Sequence, residues 1–460
     1  MSLIAFCHIC VKPLFRQIKP IKTSALLTDL ATKKLQKGAL VISCKREEYN
    51  HYSNQRYNKF DEVILASKGW NHSKAKGDYF TVHPNPEAYE ESPRTALDEL
   101  ELDINLKECL QAQNIHELTA FQTEAISVIS QAKHAMLTAE TGCGKTLAYL
   151  LPILQSLIKG RAEQMNTPRA LIVIPSRELA YQVGTMTESL AKSIGLKLKI
   201  IVGGRTKQFM LNPEFKEVDL LIGTPGVIGK LSNVGIFRLN DVLFTVLDEA
   251  DTLLDDSFID RLTGIIKRVP QSQLTLVSAT SPNKIPAILE PYEQNLVYIS
   301  SPLLHKPLSN ITQQFLRLLR SAKPPQILQI VKHAKDPLLI FTNRSKTCDW
   351  LSIFFGENGV KCSRLNGDMN YAVRIEEWNN FIQGKTKVLV ATDAGSRGLN
   401  TTQIKHVVNY DFPLYAADYI HRIGRTGRFG SPESCKVTNF ISGPEEVRLV
   451  QKIEASLLFI

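Results

Sequence analysis

The chain of 460 residues is 43% hydrophobic and 22% charged, with a net charge of +10. This composition excludes a low-complexity protein, and the length exceeds what one hydrophobic core serves, so two domains plus an extension are expected. No apolar run approaches the ~20 residues of a membrane span. The longest, "LAYLLPILQSLI", contains Pro152 and Gln155 and reads as a buried helix.

The charge is uneven along the chain. Residues 1–94 hold 15 Lys and Arg against 9 Asp and Glu, and the remainder hold 40 against 36. Such a surplus suits nucleic acid or another anionic partner, or simply a basic soluble protein. The first acid is Asp29, preceded by Lys12, Arg16, Lys19 and Lys22 among apolar residues such as Leu3, Phe6 and Phe15. A basic, apolar, acid-free leader has the composition of mitochondrial transit peptides, and an ordinary disordered terminus is the alternative. Residues 1–40 are therefore read as a targeting leader, which places the protein in the mitochondrial matrix. Cys7 and Cys10 form a close pair with no second Cys or His pair nearby, so a zinc site is not expected.

Residues 41–95 read as a basic, aromatic extension. Within it "KREEYNHYSNQRYNKF" (Lys45 to Phe60) interleaves aromatics with cations. That pattern suits a stacking surface for single-stranded RNA or a loosely ordered segment.

From about residue 96, apolar runs alternate with helical patterns. The strand candidates are "HAMLTA", "ALIVIP", "LKIIVGG", "DLLIGTP", "FTVLDEA" and "LTLVSAT", then "PLLIFTN", "CSRLNG", "KVLVATD", "HVVNYDFP" and "KVTNFIS". Helices such as Glu178 to Ser193 and Arg374 to Gln383 lie between them. Such alternation predicts an α/β protein with two tandem domains, 96–300 and 311–460, each an open parallel sheet covered by helices. Residues 301–310, "SPLLHKPLSN", read as the linker. Nearly every strand ends in a small or polar cluster, where parallel sheets bind ligands. Two sheets facing a shared cleft are expected.

The stretch "AETGCGKT", Ala139, Glu140, Thr141, Gly142, Cys143, Gly144, Lys145 and Thr146, follows a strand and opens a helix. It fits the phosphate-binding loop except that Ala139 stands where the pattern wants Gly. Backbone N–H groups and a helix N-terminus would face phosphate oxygens, Lys145 would reach the β- and γ-phosphates, and Thr146 would hold Mg²⁺. Cys143 occupies a position where the backbone does the binding. The second metal anchor is Asp248 in "VLDEAD", with Glu249 placed to orient or deprotonate the attacking water. ATP and Mg²⁺ are the cofactors implied.

With "LDEAD", "SAT" (Ser278 to Thr280), "PSRELAYQ", "ATDAGSRGL", "VVNYDFP" and "YIHRIGRTGR", the chain resembles the DEAD-box RNA helicases over about residues 97 to 442. That resemblance implies RecA-like domains with the ATP site in the cleft between them. It implies that Gln122 reads adenine and that Arg425 and Arg428 reach the γ-phosphate as arginine fingers. Asp251, Ser278, Thr280 and His421 would couple the ATP face to the RNA face. Pro175, Arg177, Gly204, Thr224, Gly226, Asn343, Gly367, Arg374 and Thr392 match positions that hold the RNA backbone. RNA is the partner implied, bent so that a duplex cannot persist, and the enzyme works as a monomer.

Several positions depart from the family pattern. Leu97 replaces an aromatic that stacks on adenine, Leu118 a proline, Val227 the arginine of "TPGR", Tyr371 a glutamine and Asn400 an aspartate. Together they suggest a slow enzyme. The stretch "LASKGWNHSKAKGDYF" resembles one in the animal mitochondrial DEAD-box helicases associated with the large ribosomal subunit, which points to mitochondrial ribosomal RNA. The rival readings are a non-catalytic RNA-binding assembly factor and an ATPase that prefers DNA.

Overall fold

The computed structural model describes residues 40–52, 63–84, 93–140, 142–160, 164–204, 206–256, 258–280, 286–302, 304, 311–396, 401, 403–427 and 435–458. Residues 1–39 of the expected leader, most of the linker, Thr141, Asn400 and Arg428 lie outside them, whereas Leu40 already belongs to the first strand. The N-terminal strands are β1 (Leu40–Cys44), β2 (His51–Tyr52) and β3 (Tyr79–Val82). A two-stranded antiparallel ribbon, β4 (Arg94–Ala96) and β5 (Glu117–Thr119), precedes the first domain.

The first sheet is built from β6 (His134–Thr138), β7 (Ala170–Val173), β8 (Leu198–Ile201), β9 (Leu220–Gly223), β10 (Phe244–Asp248), β11 (Gln273–Ser278) and β12 (Leu296–Ser300). All seven run parallel in the order β12-β6-β11-β10-β7-β9-β8. Strands β7, β9 and β11 are buried at every residue, as unbroken apolar runs in a sheet covered on both faces must be. The carboxyl ends of β6, β11 and β10 are neighbours, so the phosphate loop, "SAT" and "DEAD" open at one point of the sheet edge. That adjacency, not sequence proximity, assembles the site.

The second sheet contains β13 (Ile311–Arg317), β14 (Leu338–Thr342), β15 (Cys362–Leu365), β16 (Val388–Thr392), β17 (His406–Asn409) and β18 (Cys435–Ile441). These six are parallel, in the order β15-β16-β14-β17-β18-β13. Beyond β13 the sheet continues antiparallel through β3, β1 and β2. Sequence analysis expects parallel strands only and reads no strand in residues 41–95. The difference is that part of the extension completes the second domain and covers the edge that β13 would otherwise expose.

What holds the extension there is specific. Phe80 is fully buried and stacks on Phe315 at 4.6 Å, and Trp70 packs on Phe80 at 5.3 Å. The buried Arg317 donates through Nε to the Trp70 carbonyl at 2.9 Å and through Nη1 to Ile441 O at 3.1 Å. Glu454, on the last helix, accepts from Ser67 N at 3.1 Å, Ser67 Oγ at 2.6 Å and also from Ala66 N. Its burial raises its pKa, and the three donors counter this only in part.

Phe80→Ala is therefore expected to destabilise the second domain by about 3–5 kcal/mol, the usual cost of deleting a buried aromatic ring. Calorimetry of the full chain should show the second domain's transition moved to lower temperature. An unmoved transition would show that β3 contributes little to the sheet. Among the described residues, no helix is long and apolar enough to cross a membrane.

Candidate active site and nucleic-acid groove

The phosphate loop turns on glycines. Gly142 and Gly144 adopt φ of +94° and +84°, the left-handed region that glycine enters freely. At Gly144 a Cβ would also meet Gln122 Nε2 at 2.3 Å, so the Gln122 amide would have to give up its place. The helix Lys145–Leu157 starts there and aims its first N–H groups at the loop. Lys145 Nζ donates to Ala139 O at 2.7 Å and Glu140 O at 2.8 Å, so the ammonium spans the loop's own carbonyls. Glu140 Oε2 is buried with no hydrogen-bond partner among the described residues. Burial pushes the Cys143 thiol up to about 11, so it stays neutral.

Gln122 closes a capping box at the helix Ala120–Ser130: its Oε1 accepts from Thr119 N at 2.9 Å. Its Nε2 donates to Gly144 O at 3.2 Å, which ties the segment expected to read adenine to the phosphate loop. Leu97 and Leu118 are both 1% exposed and belong to the same hydrophobic cluster, so Leu97 serves as core.

Asp248 ends β10 buried, with its carboxylate accepting from Tyr149 Oη at 2.9 Å and from Glu249 N at 2.9 Å. Burial, and then the neighbouring charge of Glu249, push its pKa up to about 6. Tyr149 also bonds Thr146, so one hydroxyl lies within reach of both predicted metal anchors. A buried carboxylate beside a hydroxyl suits a hard divalent cation such as Mg²⁺. Glu249 takes the left-handed conformation at φ +53°, ψ +52°, costly for a non-glycine by roughly 1–3 kcal/mol. Strain of this kind collects at functional sites.

The four predicted coupling residues meet, with Ser278, Thr280 and His421 converging on the Asp251 carboxylate. Asp251 Oδ2 accepts from Thr280 Oγ1 at 2.9 Å and meets His421 Nε2 at 3.1 Å, and Ser278 bonds the same side chain. Burial alone would raise the Asp251 pKa, but the His421 hydrogen bond and charge hold it well below the carboxylate range. Burial likewise opposes the His421 charge, and Asp251 overcomes it and raises the histidine. Because His421 belongs to the second domain, this pair joins the domains at the cleft. Its charged form persists below the raised histidine pKa and fades as pH rises through it. Arg425, 6% exposed, lines a cavity of about 150 Å³ together with Glu249, Asp251 and His421.

The predicted RNA residues fall into three groups. Pro175, Arg177, Gly204, Thr224 and Gly226 line one groove of about 600 Å³ on the first domain. Gly367, Arg374 and Thr392 lie around the short helix Asp393–Ser396 on the second domain. There Arg374 Nη2 donates to Gly395 O at 3.0 Å, Gly395 N donates to Thr392 Oγ1 at 3.2 Å, and Gly367 lies against Ala394. Arg374 also pairs with Glu178 of the first domain at 2.9 Å, a second bridge between the domains. Asn343 stands apart, its amide donating to Phe412 O at 2.9 Å and accepting from Arg422 at 2.7 Å.

Sequence reasoning missed Arg422 and Tyr149. Arg422 is 1% exposed, grips Asp393 through two bonds of 2.6 Å, donates to Asp411 O at 2.7 Å and lies over Phe341. It ties together the strand ends that carry the second domain's motifs. Nothing separates it from its neighbours in "HRIGR". Tyr149 had a signal, since it lies one helical turn after Lys145 and so on the same face.

Two α/β sheets, one carrying a phosphate loop and a strained acidic turn, the other bringing a histidine and an arginine to the same cleft, define a two-domain nucleotide hydrolase of RecA-like build. The pattern of the DEAD/DEAH box helicase family matches residues 119–288, and that of the helicase conserved C-terminal domain matches residues 322–430. The chain belongs to the DEAD-box ATP-dependent RNA helicases. It is 33% identical over 453 residues to the Homo sapiens protein described as probable ATP-dependent RNA helicase DDX28, covering 91% of this chain and 84% of that one. It is 33% identical over 336 residues to the Drosophila melanogaster ATP-dependent RNA helicase vasa, covering 72% of this chain and 50% of that protein. The fold superposes on Saccharomyces cerevisiae Dbp5 bound to RNA and ADP BeF3 with a TM-score of 0.70 at 25% identity, covering 81% of this chain and 94% of that one. The protein is thus an RNA-stimulated ATPase that binds ATP and RNA.

Proposed function

We propose that this helicase works in the mitochondrial matrix on ribosomal RNA during assembly of the large ribosomal subunit. In each cycle ATP closes the two domains around one RNA strand, a local duplex is lost, and hydrolysis reopens the cleft. The observation that carries the coupling is the Asp251 node, where the acidic turn, "SAT" and His421 of the other domain share one carboxylate. Gln122 would read adenine, and Lys145 would exchange the loop carbonyls for phosphate oxygens. Glu249 would act on the attacking water, and Arg425 and Arg428 would meet the charge developing on the γ-phosphate. Thr146 and Asp248 would hold Mg²⁺, which when bound would supply positive charge to offset that of the phosphates. With Leu97 in the core, adenine lacks a stacking partner there, which supports a slow enzyme.

The compartment rests on the leader, whose four cations precede the first acid at Asp29. It rests also on "LASKGWNHSKAKGDYF", whose Ser67, Trp70 and Phe80 dock the extension onto the second domain. The domain division follows as leader 1–40, extension 41–95, ATP-binding domain 96–300, linker 301–310 and C-terminal domain 311–460. Residues 1–40 fused to a fluorescent protein are expected to enter mitochondria, and cross-linking within the organelle to recover large-subunit ribosomal RNA. Diffuse cytosolic fluorescence would remove the compartment, and recovery of only other RNAs would remove the ribosomal role.

A further inference from the structure

The groove on the first domain lacks the arginine that its motif leads one to expect, and another cation stands nearby. Val227, at the position of that arginine, is 5% exposed and packs with Ile228 and Leu231 in the hydrophobic core. No charge is offered from this position. The helix Ile259–Ile266 instead brings Arg261 beside Gly226, where a Cβ built on the glycine would meet Arg261 Nη1 at 3.8 Å and Cδ at 3.9 Å. Arg261 is exposed and lines the same groove as Arg177, Thr224 and Gly226.

Arg268 is spent on Gly264 O and on Asn233 Oδ1 at 2.5 Å. Arg261 has no hydrogen-bond or ion-pair partner among the described residues. Arg261 differs in this from Arg268, while Lys230 likewise has no hydrogen-bond or ion-pair partner among the described residues. The groove holds four cations, Arg177, Lys230, Arg261 and Arg268, against one carboxylate, Asp260. A cation-rich groove with an uncommitted guanidinium is suited to a phosphodiester, whose two free oxygens match the planar fork.

We propose that Arg261 takes over in space the role of the missing arginine and binds the RNA backbone in this groove. The cation has moved from the helix Pro225–Asn233 to the facing helix, from position 227 to position 261, while its place beside Gly226 is kept. This rests on the reading of the groove as the RNA path. Since a backbone contact carries no base information, it strengthens binding to all sequences alike.

The test is binding of a fluorescent single-stranded RNA to the full chain across a series of KCl concentrations, with a non-hydrolysable ATP analogue present. Arg261→Gln should weaken binding about ten-fold at low salt and reduce the log–log salt slope by ~0.7, the loss of one phosphate contact on a single strand. Arg261→Lys should keep the wild-type slope. An Arg261→Gln protein that binds with wild-type affinity and slope overturns this inference alone. So does a loss of affinity accompanied by a lowered melting temperature. A wild type that fails to bind RNA overturns the groove reading with it.

Discussion

Replacing Arg425 by alanine is expected to lower RNA-stimulated ATP turnover by about 10³–10⁵, the scale on which an arginine finger acts. The backbone at this residue is held rigidly: its N–H donates to Arg422 O at 3.1 Å, and its carbonyl accepts from Thr401 Oγ1 at 2.7 Å. The side chain shares its cavity with Glu249 and Asp251, which stand on the other domain. An arginine that reaches the reaction centre only across the cleft makes turnover conditional on closure. On the proposed cycle, RNA bound across both domains would promote closure and with it turnover. Arg425→Ala should therefore remove most of the stimulation and leave RNA affinity nearly as it was. A steady-state assay at saturating RNA, paired with an RNA titration, separates these quantities. Wild-type stimulation in the variant would show that Arg425 does not face the reacting phosphate.

The sequence made this arrangement readable where the chemistry is contiguous. The phosphate loop, "DEAD" and "SAT" each sit at a strand end, and parallel strands deliver their ends to one edge of the sheet. Most of the eleven strand runs are similarly local, being largely apolar, although β15 carries Arg364 and β8 carries Lys199. The strands that escaped notice lack that signal. β13 carries Gln313 and Gln314 in mid-strand; Gln313 is buried, where its Oε1 accepts from Tyr419 Oη at 2.6 Å. β12 exposes Tyr298 on a sheet edge, and β3 pairs with a strand more than two hundred residues away in sequence. Long-range antiparallel pairing leaves little local trace. The same holds in the site, where Arg261 meets Gly226 and Arg422 meets Asn343 only after folding.

Glu249→Gln is expected to reduce ATP turnover by about 10²–10⁴, the usual contribution of a positioned acid–base group. Glutamine keeps the size and reach of glutamate and removes its charge and basicity. The neighbouring Asp248 remains, with its bonds to Tyr149 Oη and to the N–H of residue 249, so the metal anchor should survive. Removing the Glu249 charge also relieves one cause of the raised Asp248 pKa, leaving that carboxylate more readily ionised. Nucleotide binding should therefore hold or tighten slightly while hydrolysis stops. Lys145→Ala provides the contrast, because its ammonium sits in the loop itself and its loss should weaken nucleotide binding directly. Both can be read with a fluorescent ATP analogue for affinity and a phosphate-release assay for turnover. The strained backbone at residue 249 is unchanged by glutamine, so the melting temperature should stay near that of the wild type. A Glu249→Gln protein that hydrolyses ATP at the wild-type rate would move the catalytic base elsewhere in the cleft.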